Sequence, residues 1–158
     1  MPIVFLDLDG VMADFEGYFE SHFGFRHDSV SDKEMWRLID AHENFFGSLP
    51  PLPGALTFCD TLYDSWGGLP IILTACPRTN YFKAAIQKRD WVHNHISKRL
   101  HVLPVMGGKN KCLFMKQRGD VLIDDFEKNI VPWREMGGVG IVHTSFEDTL
   151  AKLKEVFW

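Results

Sequence analysis

Asp7 and Asp9 stand two residues apart at the end of the apolar run Ile3-Val4-Phe5-Leu6, and Gly10 follows at once. If the run is a strand, residues i and i+2 point the same way, so both carboxylates face one space at the strand's end. A glycine there frees the backbone to bend around whatever they hold. Neighbouring carboxylates repel unless a cation or a shared proton intervenes, and Mg²⁺, satisfied by carboxylate and carbonyl oxygen, is the economical cation. A second acidic pair, Asp124-Asp125, ends the apolar run Val121-Leu122-Ile123. Thr74 ends a third run, Leu69 to Leu73, where its hydroxyl and the local backbone N–H groups, that of Ala75 among them, could receive phosphate oxygens.

The elements that must carry these residues alternate along the chain. Apolar runs at 3–6, 69–73, 100–106, 121–123 and 139–142 read as strands, the first of them buried on both faces. Between them, stripes at helical spacing occupy Gly54 to Trp66 and roughly Asn80 to Ile96, and a short helix is expected around Lys111 to Gln117. A last helix is expected after Thr144 and Glu147, which read as a capping box. Alternation of this kind predicts an α/β fold, a three-layer Rossmann-like parallel sheet with helices on both faces and ligands at the carboxyl ends of its strands.

Residues 14–50 interrupt the pattern. Phe15, Tyr18, Phe19 and Phe23 recur at helical spacing up to Gly24, and Ser31 with Glu34 makes a capping box for a second helix bearing Met35, Trp36 and Ile39. The expected organisation is therefore a single domain, 1–158, with a core of 1–13 and 51–158 and a small helical insertion at about 14–50. Two short helices cannot hide all of Phe15, Phe19, Trp36, Phe45 and Phe46 internally, and exposed aromatic faces suit a nucleobase.

Several chemistries are excluded. A net charge of −4 argues against a polynucleotide as partner. Three cysteines without a C-x-x-C pair indicate neither a disulfide framework nor a zinc knuckle, and the seven histidines show no zinc-binding spacing. A reducing cytoplasm is expected. No stretch approaches the ~18 apolar residues of a membrane span, and Met1 leads into the first strand without a signal sequence. A cysteine phosphatase would need C-x₅-R, whereas Arg78 follows Cys76 by only two residues. Gly107-Gly108-Lys109-Asn110-Lys111 lacks the earlier glycine and the Ser or Thr of a phosphate-binding Walker loop. A homodimer is compatible with the sequence.

Taken together, the Asp7-Leu8-Asp9-Gly10 stretch, Thr74, the intervening lysines and Asp124-Asp125 resemble, in order and spacing, the four motifs of the haloacid dehalogenase-like phosphohydrolases. Within them the chain is similar to the 5'(3')-deoxyribonucleotidases in Asp7 through Phe15, in Phe45-Phe46 leading to Pro51-Leu52-Pro53-Gly54-Ala55, and in Lys88-Arg89-Asp90-Trp91-Val92. The resemblance implies a Mg²⁺-dependent phosphomonoesterase acting on a nucleoside monophosphate, with another small phosphomonoester or a decayed nucleotide-binding module as alternatives. It implies Asp7 as nucleophile and Asp9 as general acid and base. Metal ligands would come from Asp7, the Asp9 carbonyl and Asp124 or Asp125. Thr74, Ala75, Arg78, Lys88 and Lys111 would hold phosphate, with Lys109 and Lys116 as substitutes for Lys111. The insertion would be a cap, with Phe15 helping to stack the base.

Overall fold

A computed structural model describes residues 1–157 of the chain. Within them five parallel strands form one sheet in the order β3-β2-β1-β4-β5. These are β1 (Val4–Leu6), β2 (Ile71–Cys76), β3 (Val102–Met106), β4 (Val121–Asp124) and β5 (Val139–Val142). The helices are α1 (Phe15–Phe23), α2 (Asp32–Ala41), α3 (Ala55–Trp66), α4 (Tyr81–His95), α5 (Glu127–Glu135) and α6 (Phe146–Phe157). The α/β architecture expected from the alternation is the one observed. Among the described residues no helix is long and apolar enough to cross a membrane.

Period-two alternation divides the strand side chains between two layers. Val4 and Leu6 of β1 and Val121 and Ile123 of β4 pack with Phe58 and Leu62 of α3, Trp91 and Val92 of α4, and Leu153 of α6. Phe5, Leu73, Val105 and Leu122 face the other way, onto Ile130 and Trp133 of α5. Phe5 meets Trp133 edge to face with ring centroids 5.2 Å apart. Both faces of the sheet are thus covered, and side chains such as these contribute about 1.5–3 kcal/mol each when fully buried. The strands therefore read as largely apolar runs, with Thr74 inside β2 and Asp124 at the end of β4 as buried polar residues.

The segment between β1 and α3 leaves and rejoins the core at one paired neck. Ala13 bridges antiparallel to Pro51, Asp14 N–H donates to the Pro50 carbonyl at 2.9 Å, and Leu52 N–H donates to the Met12 carbonyl at 2.8 Å. Between those points α1 begins with Gly17 N–H bonded to the Asp14 carboxylate, and α2 with Glu34 N–H bonded to the Ser31 hydroxyl.

Three local expectations are corrected. Strand β2 runs on through Thr74 to Cys76, because Thr74, Ala75 and Cys76 still pair with Pro104, Val105 and Met106. The short helix expected at 111–117 is a 3₁₀ helix over Gly108–Phe114. It stops there because Asp120 Oδ2 captures the Lys116 and Gln117 N–H groups at 2.9 and 3.0 Å, removing them from any helix. The cap of α6 is Ser145, whose hydroxyl accepts from Asp148 N–H, while the Thr144 hydroxyl donates to the Asp148 carboxylate.

Candidate active site

Strands β1 and β4 pair Leu6 with Ile123, so the next residues, Asp7 and Asp124, emerge side by side at the carboxyl end of the sheet. Asp7 N–H extends the ladder by donating to the Ile123 carbonyl at 2.9 Å. One carboxylate oxygen from each of Asp7, Asp124 and Asp125 lies within 4.8 Å of the others. Into this cluster the 3₁₀ helix 108–114 inserts Lys111, fully buried, with Nζ 2.7 Å from Asp7 Oδ1 and 2.6 Å from Asp124 Oδ2. Lys109 and Lys116 are exposed.

Asp124 is held from two further directions. Its Oδ1 accepts from Phe126 N–H at 2.9 Å, and its Oδ2 accepts from the buried Asn129 side chain at 3.0 Å. Asn129 escaped the sequence reading, although its place in the first turn of α5, just past the acidic pair, was a usable signal. The fit is close on its far side too, since a Cβ on Gly108 would strike the Asn129 amide. Gly10 is required on two counts: its φ of +76° suits glycine, and a side chain there would collide with the Asp125 carboxylate.

This crowding is recorded in the acidities. Burial, and then the charge of Asp124, push the Asp7 carboxyl up to about 8 against the pull of Lys111. Burial and Asp124 likewise raise Asp125 to about 6. Burial alone would lower Lys111, yet the Asp7 and Asp124 carboxylates outweigh it and hold its ammonium above the ordinary lysine range. One cation among three carboxylates leaves the cluster short of positive charge. The donors are all oxygen, which fits a hard divalent cation such as Mg²⁺ and not a soft or thiophilic one.

A pH prediction follows with its sign fixed. Between the ordinary value of 3.8 and the raised values of about 6 and about 8, the metal-free folded chain holds protons that the unfolded chain has released. Stability therefore falls as pH rises through that window. Thermal melts from pH 5 to pH 8 should show Mg²⁺ raising Tm most at pH 8, where both carboxylates demand a counter-charge. A Mg²⁺ effect largest at pH 5 would contradict the assignment.

Asp9 lies outside the carboxylate cluster. Its Oδ2 accepts from Lys88 of α4 at 2.6 Å, and the same ammonium donates to Thr74 Oγ1 at 3.2 Å and to the Ala75 carbonyl at 2.5 Å. The Phe46 ring covers it, 4.4 Å from Nζ to centroid. Lys88 and Thr74 are both buried. Cys76 is buried as well, and burial pushes its thiol up, away from the thiolate a nucleophile would need.

The five aromatic residues proposed for a base are not equivalent. Phe19 and Phe45 are 0% and 1% exposed, packed with Phe15, Phe23 and each other in the insertion's own core, so neither offers a free face. Phe46 is buried against Lys88. Phe15 is half-buried, with rings of Phe19, His27 and Phe45 around it. Trp36 lines an open cavity, about 350 Å³ in volume, together with Ala75, Cys76, Pro77, Arg78, Thr79, Gly107 and Gly108. That cavity adjoins the carboxylate end of the sheet through Ala75. Arg78 is exposed on its wall, apart from the buried lysines.

Residues 1–149 match the family model described as 5' nucleotidase, deoxy (pyrimidine), cytosolic type C protein. A Bordetella bronchiseptica (strain RB50) protein, provisionally described as a 5'(3')-deoxyribonucleotidase, is 25% identical over 142 residues, covering 78% of this chain and 73% of that protein. Among solved structures, a hydrolase from Streptococcus pneumoniae TIGR4 gives a TM-score of 0.52 at 14% identity over 96% of this chain and 97% of its own. A provisionally described phosphoglycolate phosphatase from Lactobacillus delbrueckii subsp. bulgaricus gives 0.53 at 14% identity, over 87% and 84%. At that identity the two structures speak for the fold alone.

Proposed function

The chain belongs to the family of deoxy (pyrimidine) 5' nucleotidases of cytosolic type C, phosphoric monoester hydrolases of haloacid dehalogenase-like fold, and from that premise we propose that it is a Mg²⁺-dependent deoxyribonucleotidase working through an aspartyl-phosphate. The observation that carries this reading is the convergence of Asp7, Asp124, Asp125 and Lys111 at one point of the sheet, with Asp9 close in sequence but engaged by a different lysine.

Asp7 is the nucleophile. Its carboxylate attacks phosphorus, a P–O bond forms to Asp7, and the bond to the nucleoside oxygen breaks. Asp9 delivers a proton to that departing oxygen, because a sugar alkoxide is a poor leaving group. Asp9 then takes a proton from the water that attacks phosphorus, and Asp7 is released with inorganic phosphate. Asp7, Asp124 or Asp125 and the Asp9 carbonyl would hold Mg²⁺, which when bound offsets the substrate's charge and polarises a phosphoryl oxygen. Lys111 faces two carboxylate oxygens with three N–H donors and so keeps one for the phosphoryl group. The Thr74 hydroxyl and the N–H groups of the following residues complete the cradle.

Segment 14–50 acts as the cap, and the cavity beneath Trp36 receives the nucleoside. A stacked base contact is worth ~1–3 kcal/mol, so Trp36→Ala should raise KM for a deoxynucleotide by that amount while leaving kcat for p-nitrophenyl phosphate unchanged. Phe19→Ala should instead lower stability by about 3–5 kcal/mol, as loss of a buried ring does. An unchanged KM in Trp36→Ala would remove Trp36 from the base site.

The decisive experiment is a turnover screen of 5'- and 3'-deoxynucleotides, ribonucleotides and sugar phosphates, with Mg²⁺ and with excess chelator. Deoxynucleotides should show the highest kcat/KM and chelation should abolish turnover. A sugar phosphate as best substrate would overturn the substrate assignment, and full activity in chelator would overturn the metal.

A further inference from the structure

Resemblance to the deoxyribonucleotidases places Lys88 near the phosphate, yet its surroundings argue for another task. A lysine ammonium has three N–H donors and no acceptor. Those of Lys88 go to Asp9 Oδ2, Thr74 Oγ1 and the Ala75 carbonyl, and the Phe46 ring closes the remaining side. Lys88 is 2% exposed, so its ammonium is shut off from bulk solvent. To take a phosphoryl oxygen it would have to break a buried, charge-assisted bond, the kind worth most in a protein interior.

Resting on the phosphomonoesterase reading above, we propose that Lys88 is a positioning residue: it clamps one oxygen of Asp9 and a lone pair of Thr74 so that Asp9 Oδ1 and the Thr74 hydroxyl hydrogen are the atoms presented to the reacting group. Two details support this independently of the donor count. Asp9 Oδ1 is the single buried side-chain polar atom among the described residues that has no hydrogen-bond partner. Such an atom costs stability unless a ligand completes it, and the departing nucleoside oxygen, then the attacking water, would do so. The Thr74 hydroxyl, having accepted from Lys88, retains its own hydrogen for donation to a phosphoryl oxygen.

The clamp is itself fixed by the insertion. Gln87, next to Lys88 in α4, accepts from Phe46 N–H at 3.1 Å and donates to the Glu43 carbonyl at 3.1 Å, and Trp91 Nε1 donates to the Leu49 carbonyl at 2.6 Å. These bonds hold the insertion's return segment against α4 and keep the Phe46 ring over the ammonium. Asp9 is thereby oriented jointly by the core helix and the cap.

The test compares Lys88→Met with wild type on three readouts: Ki of inorganic phosphate, kcat for a deoxynucleotide, and kcat for p-nitrophenyl phosphate. For a positioning residue, phosphate Ki changes less than about twofold. The kcat for the nucleotide should fall by about 10² more than that for the aryl phosphate, whose leaving group needs little protonation. Adding Lys88→Met to Asp9→Asn should cost little beyond Asp9→Asn alone, because the two act as one unit. A roughly tenfold or greater rise in phosphate Ki, with equal kcat losses for both leaving groups, would make Lys88 a phosphate ligand and overturn the proposal. Lys88→Met leaves the Asp9 carboxylate without its counter-charge, so a failure of that variant to fold is met by Asp9→Asn/Lys88→Met, neutral at both ends. Phosphate affinity in that double variant, equal to or weaker than in Asp9→Asn, decides the same question. If the wild-type chain hydrolyses aryl phosphates but no nucleotide, the substrate assignment falls alone, and a series of aryl and alkyl phosphates still reads the role of Lys88.

Discussion

Asp7→Asn should abolish turnover of every phosphomonoester, by a factor on the order of 10⁴ or more in kcat, whatever the leaving group. The amide keeps nearly the same shape and can accept a hydrogen bond, so the loss reports nucleophilicity and not packing. Its stability should rise or hold in the absence of Mg²⁺, because the upward shift of the Asp7 carboxyl to about 8 marks a charge the metal-free fold tolerates poorly. Asp9→Asn should behave differently. On the proposed mechanism it leaves the nucleophile intact and removes the proton donor and later base, so single-turnover loss should be ~10²–10⁴-fold for a deoxynucleotide and much smaller for an aryl phosphate. Equal losses for both substrates in Asp9→Asn would refute the acid role, and surviving turnover in Asp7→Asn would overturn the covalent mechanism.

The placement of Asp7 and Asp9 at the end of a buried strand was legible from sequence, because an apolar run that stops at a carboxylate has few structural reasons to do so. The same signal marked Asp124, and the observed register of β1 on β4 supplies the reason the pairs meet. Helical periodicity marks Lys88 independently of the family resemblance. Ala84, Ala85, Lys88, Trp91 and Val92 are the buried residues of α4, so the lysine occupies a place in the apolar stripe, where an unpaired charge could not remain. What stayed hidden depends on contacts between distant segments. The sequence marks Phe19, Phe45 and Trp36 equally as aromatic, and only the folding of α1 against Phe45 shows that two of the three are spent on the insertion's core. The true start of α6 turned on a choice between adjacent Thr144 and Ser145, which composition does not resolve.

Lys111→Met is the second large effect, and it separates the lysine's structural from its chemical role. Methionine approximates the length of the aliphatic stem but brings no charge, so Asp7 and Asp124 would be left facing each other, buried, without the ammonium now 2.7 and 2.6 Å from them. Breaking a buried ion pair from one side costs ~3–5 kcal/mol. Metal-free Lys111→Met should accordingly melt well below wild type, and saturating Mg²⁺ should recover part of that loss by linkage. Activity should not recover with it. With fold and metal restored, the donor that would meet the transferring phosphoryl oxygen is still missing, and removal of one such donor costs roughly 10²–10³-fold in kcat. Lys109→Ala is the control, because that side chain is exposed and its substitution should leave kcat near wild type. A Lys111→Met variant that regains full turnover once Mg²⁺ restores its Tm would show that the lysine serves the fold alone, and an inactive Lys109→Ala beside an active Lys111→Met would move the phosphate-facing cation to Lys109.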